Sequence, residues 1–219
     1  MIILNKDYWH DDIIDLLNTK IDVILNNQEY CNIFLTGGST AKTLYKSWGQ
    51  DKKFNKLKNT NFFLSDERFV SNKSSDSNYK MILDNLFPEG LPNNSTFTSI
   101  VNSQDSLEES VRKFEEKLSN IEIDIMIFSM GIDGHIASIF PNSKLFGNEI
   151  GLAASSLSPL KPFKRITVTP SLIELSKFTI LLGIGNGKRE LMRRLHNSDE
   201  TAFQYPALIV DSKHWYTDT

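Results

Sequence analysis

The feature that most constrains the fold is the apolar run at residues 123–128, interrupted only by Asp124 and followed by a glycine loop at 131–135. Such a run, bounded by glycine, is typical of a strand buried on both faces of a parallel sheet. In open α/β sheets, ligands bind beyond the carboxyl ends of the strands, which is where this loop places Asp133 and His135. Histidine titrates near neutral pH and can act as a general base and then as a general acid. We therefore predict a functional site here; the alternative is a loop histidine that only hydrogen-bonds backbone.

The remainder of the chain alternates short apolar runs with helical patterns. Runs at residues 2–4, 32–35, 61–64, 96–100, 151–154, 165–169, 178–184, 206–210 and 215–217 predict strands. Apolar residues at helical spacing predict helices within 13–25, 41–48, 81–87, 107–118 and 189–195, and Pro170 begins a further short helix. This alternation indicates one doubly wound α/β domain.

Composition excludes several classes of function. The chain has 219 residues with a formal net charge of -3 and no basic block, so we expect neither nucleic acid nor an anionic membrane as partner. The single cysteine, Cys31, excludes an internal disulfide. The acidic N-terminus does not resemble a signal peptide, and no stretch approaches the roughly 18 apolar residues of a membrane span. We expect a soluble cytoplasmic protein.

Four predicted strand ends carry polar groups. These are the turn at residues 37–40, the charged segment at 65–68, the loop with Asp133 and His135, and the glycine loop at 185–188. In a mainly parallel sheet with right-handed crossovers, all four lie at the same edge. Their convergence predicts one shared site.

A phosphate site is predicted within this group. The turn Gly37, Gly38, Ser39 and Thr40 lies between a predicted strand and a helix start, where free backbone N–H groups and the helix dipole attract anions. Lys188 would add a point charge. The spacing fits neither a Walker loop nor a dinucleotide fingerprint, and a simple turn is the alternative interpretation.

Ser39 supports a second interpretation. The segment at 37–41 nearly matches the G-x-S-x-G nucleophile elbow between a strand and a helix, although its last position is Ala41. Covalent catalysis by this serine is the less favoured hypothesis at the turn.

The remaining charged candidates are Asp66, Arg68 and Arg165. Arg68 follows a predicted strand and is a better ligand candidate than Arg165, although a strand-end run of charged residues is often only a solvated network. Arg165 precedes its strand, which in a parallel sheet places it at the opposite edge, so a structural salt bridge is an equal alternative. The histidines outside the loop lack ligand spacing, and we expect no metal.

With these residues in place, the chain resembles the 6-phosphogluconolactonases over nearly its whole length. The supporting segments are LTGGST (35–40), SDERFV (65–70), SN (77–78), MGIDGHIASIFP (130–141), RITVTP (165–170) and GNGK (185–188). Ala41 and Asn142 depart from the family pattern, but neither position supplies a side chain that the chemistry needs.

The resemblance implies a single Rossmann-like, three-layer α/β domain over residues 1–219 with a mainly parallel sheet. It implies hydrolysis of 6-phosphoglucono-δ-lactone to 6-phosphogluconate without metal or cofactor, by a monomer or weak dimer. His135 and Asp133 would be catalytic. Substrate binding would fall to Gly37, Gly38, Ser39, Thr40, Asp66, Arg68, Arg165 and Lys188.

Two rival hypotheses remain open. The related glucosamine-6-phosphate deaminases share the glycine-serine turn and the DGHIA segment, but they carry a glutamate five residues after the loop histidine, where this chain has Phe140. They also usually have an aromatic residue at the position of Arg68. The second rival is a non-catalytic sugar-phosphate sensor, although no added DNA-binding segment is visible.

Overall fold

The computed structural model describes residues 1–147 and 151–219, and it confirms the predicted α/β class. Seven strands form a central sheet, namely β1 (Ile2–Leu4), β2 (Cys31–Leu35), β3 (Thr60–Leu64), β5 (Thr96–Phe97), β6 (Ile125–Ser129), β9 (Phe178–Leu182) and β10 (Trp215–Asp218). Their order across the sheet is β1-β10-β9-β6-β2-β3-β5, and every neighbouring pair is parallel.

Helices flank the sheet. They are α1 (Trp9–Leu25), α2 (Ser39–Trp48), α3 (Asn78–Leu86), α4 (Leu107–Leu118), α5 (Pro170–Glu174) and α6 (Asn186–His196). All five residues of β2 are buried. Because successive strand residues point to opposite faces, this burial requires cover on both sides of the sheet. No helix within residues 1–147 and 151–219 is both long enough and apolar enough to cross a membrane.

The order of the strands sets where a ligand can bind. From β2 the chain moves to β3 and β5 on one side, and then returns to place β6, β9 and β10 on the other side. The order therefore reverses between β2 and β6, and the crevice beyond their carboxyl ends is the favoured ligand site of an open α/β sheet.

A second sheet was not predicted. Strands β4 (Asp66–Arg68), β8 (Lys164–Val168) and β7 (Ala153–Leu157) pair antiparallel in the order β4-β8-β7. The charged segment after β3 is thus itself a short strand. The placement of Arg165 at the opposite edge was wrong, because β8 runs antiparallel to β4 and sets Arg165 directly opposite Arg68.

Other sequence predictions differ in detail. The strand predicted at 206–210 is a 3-10 helix (Pro206–Ile209), for which Pro206 supplies the fixed φ of a first helical position. The strand predicted at 151–154 is β7, shifted toward the C-terminus. The predicted helices at 41–48 and 189–195 start earlier, at Ser39 and Asn186.

Candidate active site

A cavity of about 510 Å³ lies at the carboxyl ends of β2 and β6, where the strand order reverses. The structure brings almost all predicted site residues to its wall. These are Gly37, Gly38, Ser39, Asp66, Arg68, Asp133, His135, Arg165 and Lys188. Thr40 does not line the cavity, but its Oγ1 accepts a hydrogen bond of 3.2 Å from Lys188 Nζ.

A larger cavity of about 990 Å³ lies elsewhere, between the segment at 97–103 and helix α4. Its wall includes Tyr79, Phe97 and Lys113, but no histidine and none of the predicted site residues. Size alone would favour this larger cavity as the ligand site. The smaller cavity holds the convergent polar groups and the switch point of the sheet, so we assign the site there.

The His135 imidazole is held by its own loop. Its Nδ1 lies 2.5 Å from Asp133 Oδ1, and the His135 backbone N–H donates to the same oxygen at 3.2 Å. Gly131 N donates to His135 O at 2.8 Å, which closes the loop. Because an ionised carboxylate can only accept, Nδ1 carries the proton and Nε2 keeps its lone pair. The imidazole is thus arranged to accept a proton through Nε2.

Asp133 stays ionised in this arrangement. Burial raises the pKa of its carboxyl, but hydrogen bonds from the His135 side chain and backbone outweigh that effect, so the net pKa is lowered. A carboxylate beside the imidazole stabilises the charged imidazolium form. Asp133 can therefore both orient His135 and support the uptake of a proton.

Glycine is required at position 131 for this pair to form. A Cβ added at Gly131 would lie 2.1 Å from His135 Nδ1 and 2.6 Å from Asp133 Oδ1. The imidazole and the carboxylate therefore occupy the space that any other residue's side chain would need.

A cationic corner lies at the turn predicted to bind phosphate. Helix α2 starts directly after Gly38, whose φ of +98° favours glycine. Because the first N–H groups of a helix have no partner within it, those of α2 are free to face the turn. Lys188, in the first turn of α6, donates from Nζ to Thr40 Oγ1 at 3.2 Å and to Ser129 Oγ at 3.3 Å. Burial lowers the pKa of Lys188. Among the described residues no carboxylate lies within 4.0 Å of its ammonium, so the charge is available to an anionic ligand.

Arg68 and Arg165 form a second cationic group across β4 and β8. Arg165 is only 7% exposed, its Nη2 donates to Ser158 Oγ at 3.4 Å, and its buried Nε has no partner in the described part of the chain. Burial, followed by the nearby Arg68 charge, lowers the pKa of Arg165. Like charges directly opposite on paired strands are unfavourable, and an anion between the guanidinium groups would relieve that repulsion.

Asp66 lies in a buried hydrogen-bond network at the cavity wall. Its carboxylate is 5% exposed and accepts from Ser138 Oγ at 2.6 Å and from Asn78 Nδ2 at 3.3 Å. Asn78 in turn packs on Gly37, since a Cβ there would lie 2.1 Å from Asn78 Oδ1. Asp66 therefore ties the His135 segment, β4 and the glycine turn together, and a direct substrate contact stays a prediction.

Sequence reasoning missed Asn78, Ser138 and Ser129 as wall residues. The segment at 77–78 supported the family resemblance but gave Asn78 no role; in the structure Ser77 Oγ accepts from Lys80 N and caps α3. Glu67, the residue after Asp66 on β4, is fully buried. It accepts hydrogen bonds from Ser77 Oγ and from the backbone N–H groups of residues 68, 78 and 79. Burial raises the pKa of the Glu67 carboxyl by more than these bonds lower it. Glu67 anchors the start of α3.

Ser39 lies at the first position of α2 and is exposed. Within the described residues its Oγ makes no hydrogen bond, and Asp133 is the only hydrogen-bond partner of the His135 ring. An activated serine needs a base within hydrogen-bonding distance. No three His, Cys, Asp or Glu side chains of residues 1–147 and 151–219 are grouped closely enough to hold a metal ion.

The fold and the site together define an α/β protein with a cationic pocket and an Asp-oriented histidine at the switch point of its sheet. A family model described as glucosamine-6-phosphate isomerases/6-phosphogluconolactonase matches residues 5–218. The chain belongs to this family.

Three similar proteins carry the name 6-phosphogluconolactonase. The chain is 31% identical over 198 residues to the 6-phosphogluconolactonase of Haemophilus influenzae, covering 85% of this chain and 84% of the relative. It is 30% identical over 213 residues to that of Borreliella burgdorferi, covering 94% and 88%. The crystal structure of 6-phosphogluconolactonase from Thermotoga maritima aligns with a TM-score of 0.81 at 27% identity, covering 100% of this chain and 98% of that one.

Proposed function

We propose that this chain hydrolyses 6-phosphoglucono-δ-lactone to 6-phosphogluconate, with His135 as the general base. The observation that carries the proposal is one cavity bordered by an Asp-oriented imidazole and by three cations without carboxylate partners in the described structure. The similarity to relatives named 6-phosphogluconolactonase supports the choice of substrate.

The reaction begins with water. His135 Nε2 takes a proton from a water molecule whose oxygen attacks the lactone carbonyl carbon, forming a tetrahedral oxyanion. The Asp133 carboxylate stabilises the imidazolium that results. Backbone N–H groups of the glycine loop, or a cavity cation, stabilise the oxyanion.

Ring opening returns the proton. As the oxyanion collapses, the bond between the carbonyl carbon and the ring oxygen breaks, and the imidazolium donates its proton to that oxygen. The single ring-opened product carries a carboxylate at the former carbonyl carbon, after loss of an acidic proton to solvent, and a hydroxyl at the former ring oxygen. His135 is neutral again and ready for another turnover.

The phosphoryl group is bound away from the reacting carbon. Lys188 and the N-terminus of α2 supply a charge and backbone donors, and Arg68 and Arg165 supply planar guanidinium donors. Binding energy from this remote group positions the lactone carbonyl beside His135. An unphosphorylated lactone would lose that positioning.

Isomerase or deaminase chemistry on glucosamine 6-phosphate is the second candidate, since the family's description names glucosamine-6-phosphate isomerases beside 6-phosphogluconolactonase. The position of the deaminase glutamate is Phe140, whose ring lies 5.0 Å from the His135 ring and lines the cavity. An aromatic ring cannot transfer the proton that a carboxylic acid would. This favours the lactonase.

A comparison of substrates tests the proposed function. The purified protein is given freshly generated 6-phosphogluconolactone, gluconolactone and glucosamine 6-phosphate in parallel, with each rate corrected for spontaneous reaction. We expect rapid hydrolysis of the phosphorylated lactone alone. Ammonia release from glucosamine 6-phosphate would support the deaminase, and tight binding of phosphosugars without turnover would support the sensor.

Gly131→Ala should inactivate the enzyme without removing any catalytic group. The new methyl group would occupy the space of His135 Nδ1, so the imidazole must move. A displacement of about 1 Å can cost about 100-fold in rate, and we expect a loss of kcat of that order with KM changed little. Steady-state kinetics measures both values. Wild-type kcat in this variant would show that the observed position of His135 is not the catalytic one.

Ser39→Ala should keep kcat within about threefold of wild type, because this hydroxyl makes no hydrogen bond to a base in the described structure. KM should rise only modestly, because the backbone N–H of residue 39 is still present to donate to the phosphoryl group. Pre-steady-state kinetics with the lactone in excess over the enzyme provides the check. An initial burst in wild type that disappears with nearly all activity in Ser39→Ala would establish the nucleophile hypothesis instead.

A further inference from the structure

The loop that carries His135 touches a segment outside the cavity. Gly134 is the residue immediately before His135, and its carbonyl oxygen accepts a hydrogen bond of 2.9 Å from Ala207 N. The ring of Tyr205 lies against the same residue, since a Cβ added at Gly134 would be 2.8 Å from Tyr205 Cδ1. Gly134 is buried and has a φ of +83°, so its bare backbone accepts the ring at close range.

Tyr205 is itself well anchored. Its backbone N–H donates to Thr201 O at 2.9 Å, and the 3-10 helix Pro206–Ile209 follows directly. The Arg194 guanidinium, on α6, lies 5.0 Å from the ring centroid, a favourable cation–π distance. The phenol oxygen makes no hydrogen bond within the described residues. The ring therefore acts through packing, between α6 and the His135 loop.

Within residues 131–135 the loop's other hydrogen bonds are internal, while Met130 and Ser138 anchor the residues that flank it. The bonds from Gly131 to His135 and from His135 to Asp133 fix the shape of the loop, but they move with it as a unit. The contact at Gly134 instead connects the loop to a separate part of the fold. A contact of this kind sets where the imidazole lies relative to the cavity cations.

We propose that Tyr205 is a positioning residue for His135: its ring, packed on Gly134, fixes the loop so that the imidazole faces the cavity. Tyr205 does not line the cavity. The inference rests on the proposed function for its kinetic effect, but the placement of the imidazole can be measured without turnover.

The kinetic test uses three variants. Tyr205→Ala should lower kcat by about tenfold or more with KM within about twofold, because binding groups are untouched while the base is displaced. Tyr205→Phe should match wild type, since the hydroxyl is not used. Phe203→Ala is the matched control: this ring lies in the same segment but packs on Phe146, 5.9 Å between centroids, and its loss should leave kcat unchanged.

The second readout is the imidazole itself, by NMR of the four histidine rings. The His135 signal is identified by its loss in His135→Ala. In Tyr205→Ala the His135 signal should shift or broaden while the other three histidine signals stay in place. Tyr205→Leu is a smaller change and should give a weaker shift. It replaces Tyr205→Ala in this test where the alanine variant folds poorly.

Two outcomes would overturn the inference: an unchanged His135 signal with wild-type kcat in Tyr205→Ala, or equal losses in Phe203→Ala. Absence of lactonase activity in the wild type would refute the proposed function instead. The NMR comparison would still decide whether Tyr205 positions the imidazole.

Discussion

Replacing His135 by alanine is expected to lower kcat for 6-phosphogluconolactone hydrolysis by about 10²–10⁴-fold, the range for loss of a general base. KM should change little, because the cationic groups that bind the phosphoryl group remain. The Asp133 carboxylate loses its partner but stays near solvent, so the variant should fold. Steady-state rates corrected for spontaneous hydrolysis give both constants.

The matched control for this variant is His196→Ala, which removes an exposed imidazole at the end of α6, away from the cavity. It should keep wild-type kinetics. Added imidazole should restore part of the turnover of His135→Ala by entering the space left behind, whereas a structural role would give no rescue. Near-normal turnover in His135→Ala would remove this residue from the mechanism.

Replacing Arg165 by methionine is expected to raise KM by about 10- to 100-fold. Hydrogen bonds to charged groups contribute about 1.5–3 kcal/mol, and every 1.4 kcal/mol is about tenfold in affinity. The free protein should at the same time become at least as stable. The guanidinium is buried, faces the like charge of Arg68 and has no carboxylate partner in the described structure, so its removal relieves a cost.

Two measurements separate these effects, namely kinetics for KM and thermal unfolding for stability. Arg112→Met is the control, because this exposed arginine on α4 pairs with Glu109 and Glu116 and lies outside the cavity. It should leave KM unchanged. An unchanged KM in Arg165→Met, or a marked loss of stability with it, would assign Arg165 to a structural role.

The position of the candidate site followed from patterns that act over short distances. The apolar run ending before Gly131 and the run ending before Gly37 each predicted a buried strand and its carboxyl end. Parallel pairing then required those ends to meet at one edge, as β2 and β6 do. His135, the glycine turn and Lys188 share one cavity for this reason.

What the sequence could not predict depends on contacts between distant segments. The three residues of β4 are too few and too polar to mark a strand, and their partner β8 lies about 100 residues later, so Arg165 was placed at the wrong edge. The 3-10 helix at Pro206–Ile209 has the apolar composition of a strand. The packing of Asn78 on Gly37 likewise has no local signal.

The proposed function depends on one arrangement: a phosphoryl group binds at the cations while the reacting carbon lies beside His135. A crystal structure with 6-phosphogluconate, the expected product, tests this most directly. It should hold the phosphoryl oxygens within about 3 Å of Lys188 or of the Arg68 and Arg165 guanidinium groups, with the carboxylate at C1 beside His135 Nε2. A product bound in the reverse direction, or outside this cavity, would contradict the account.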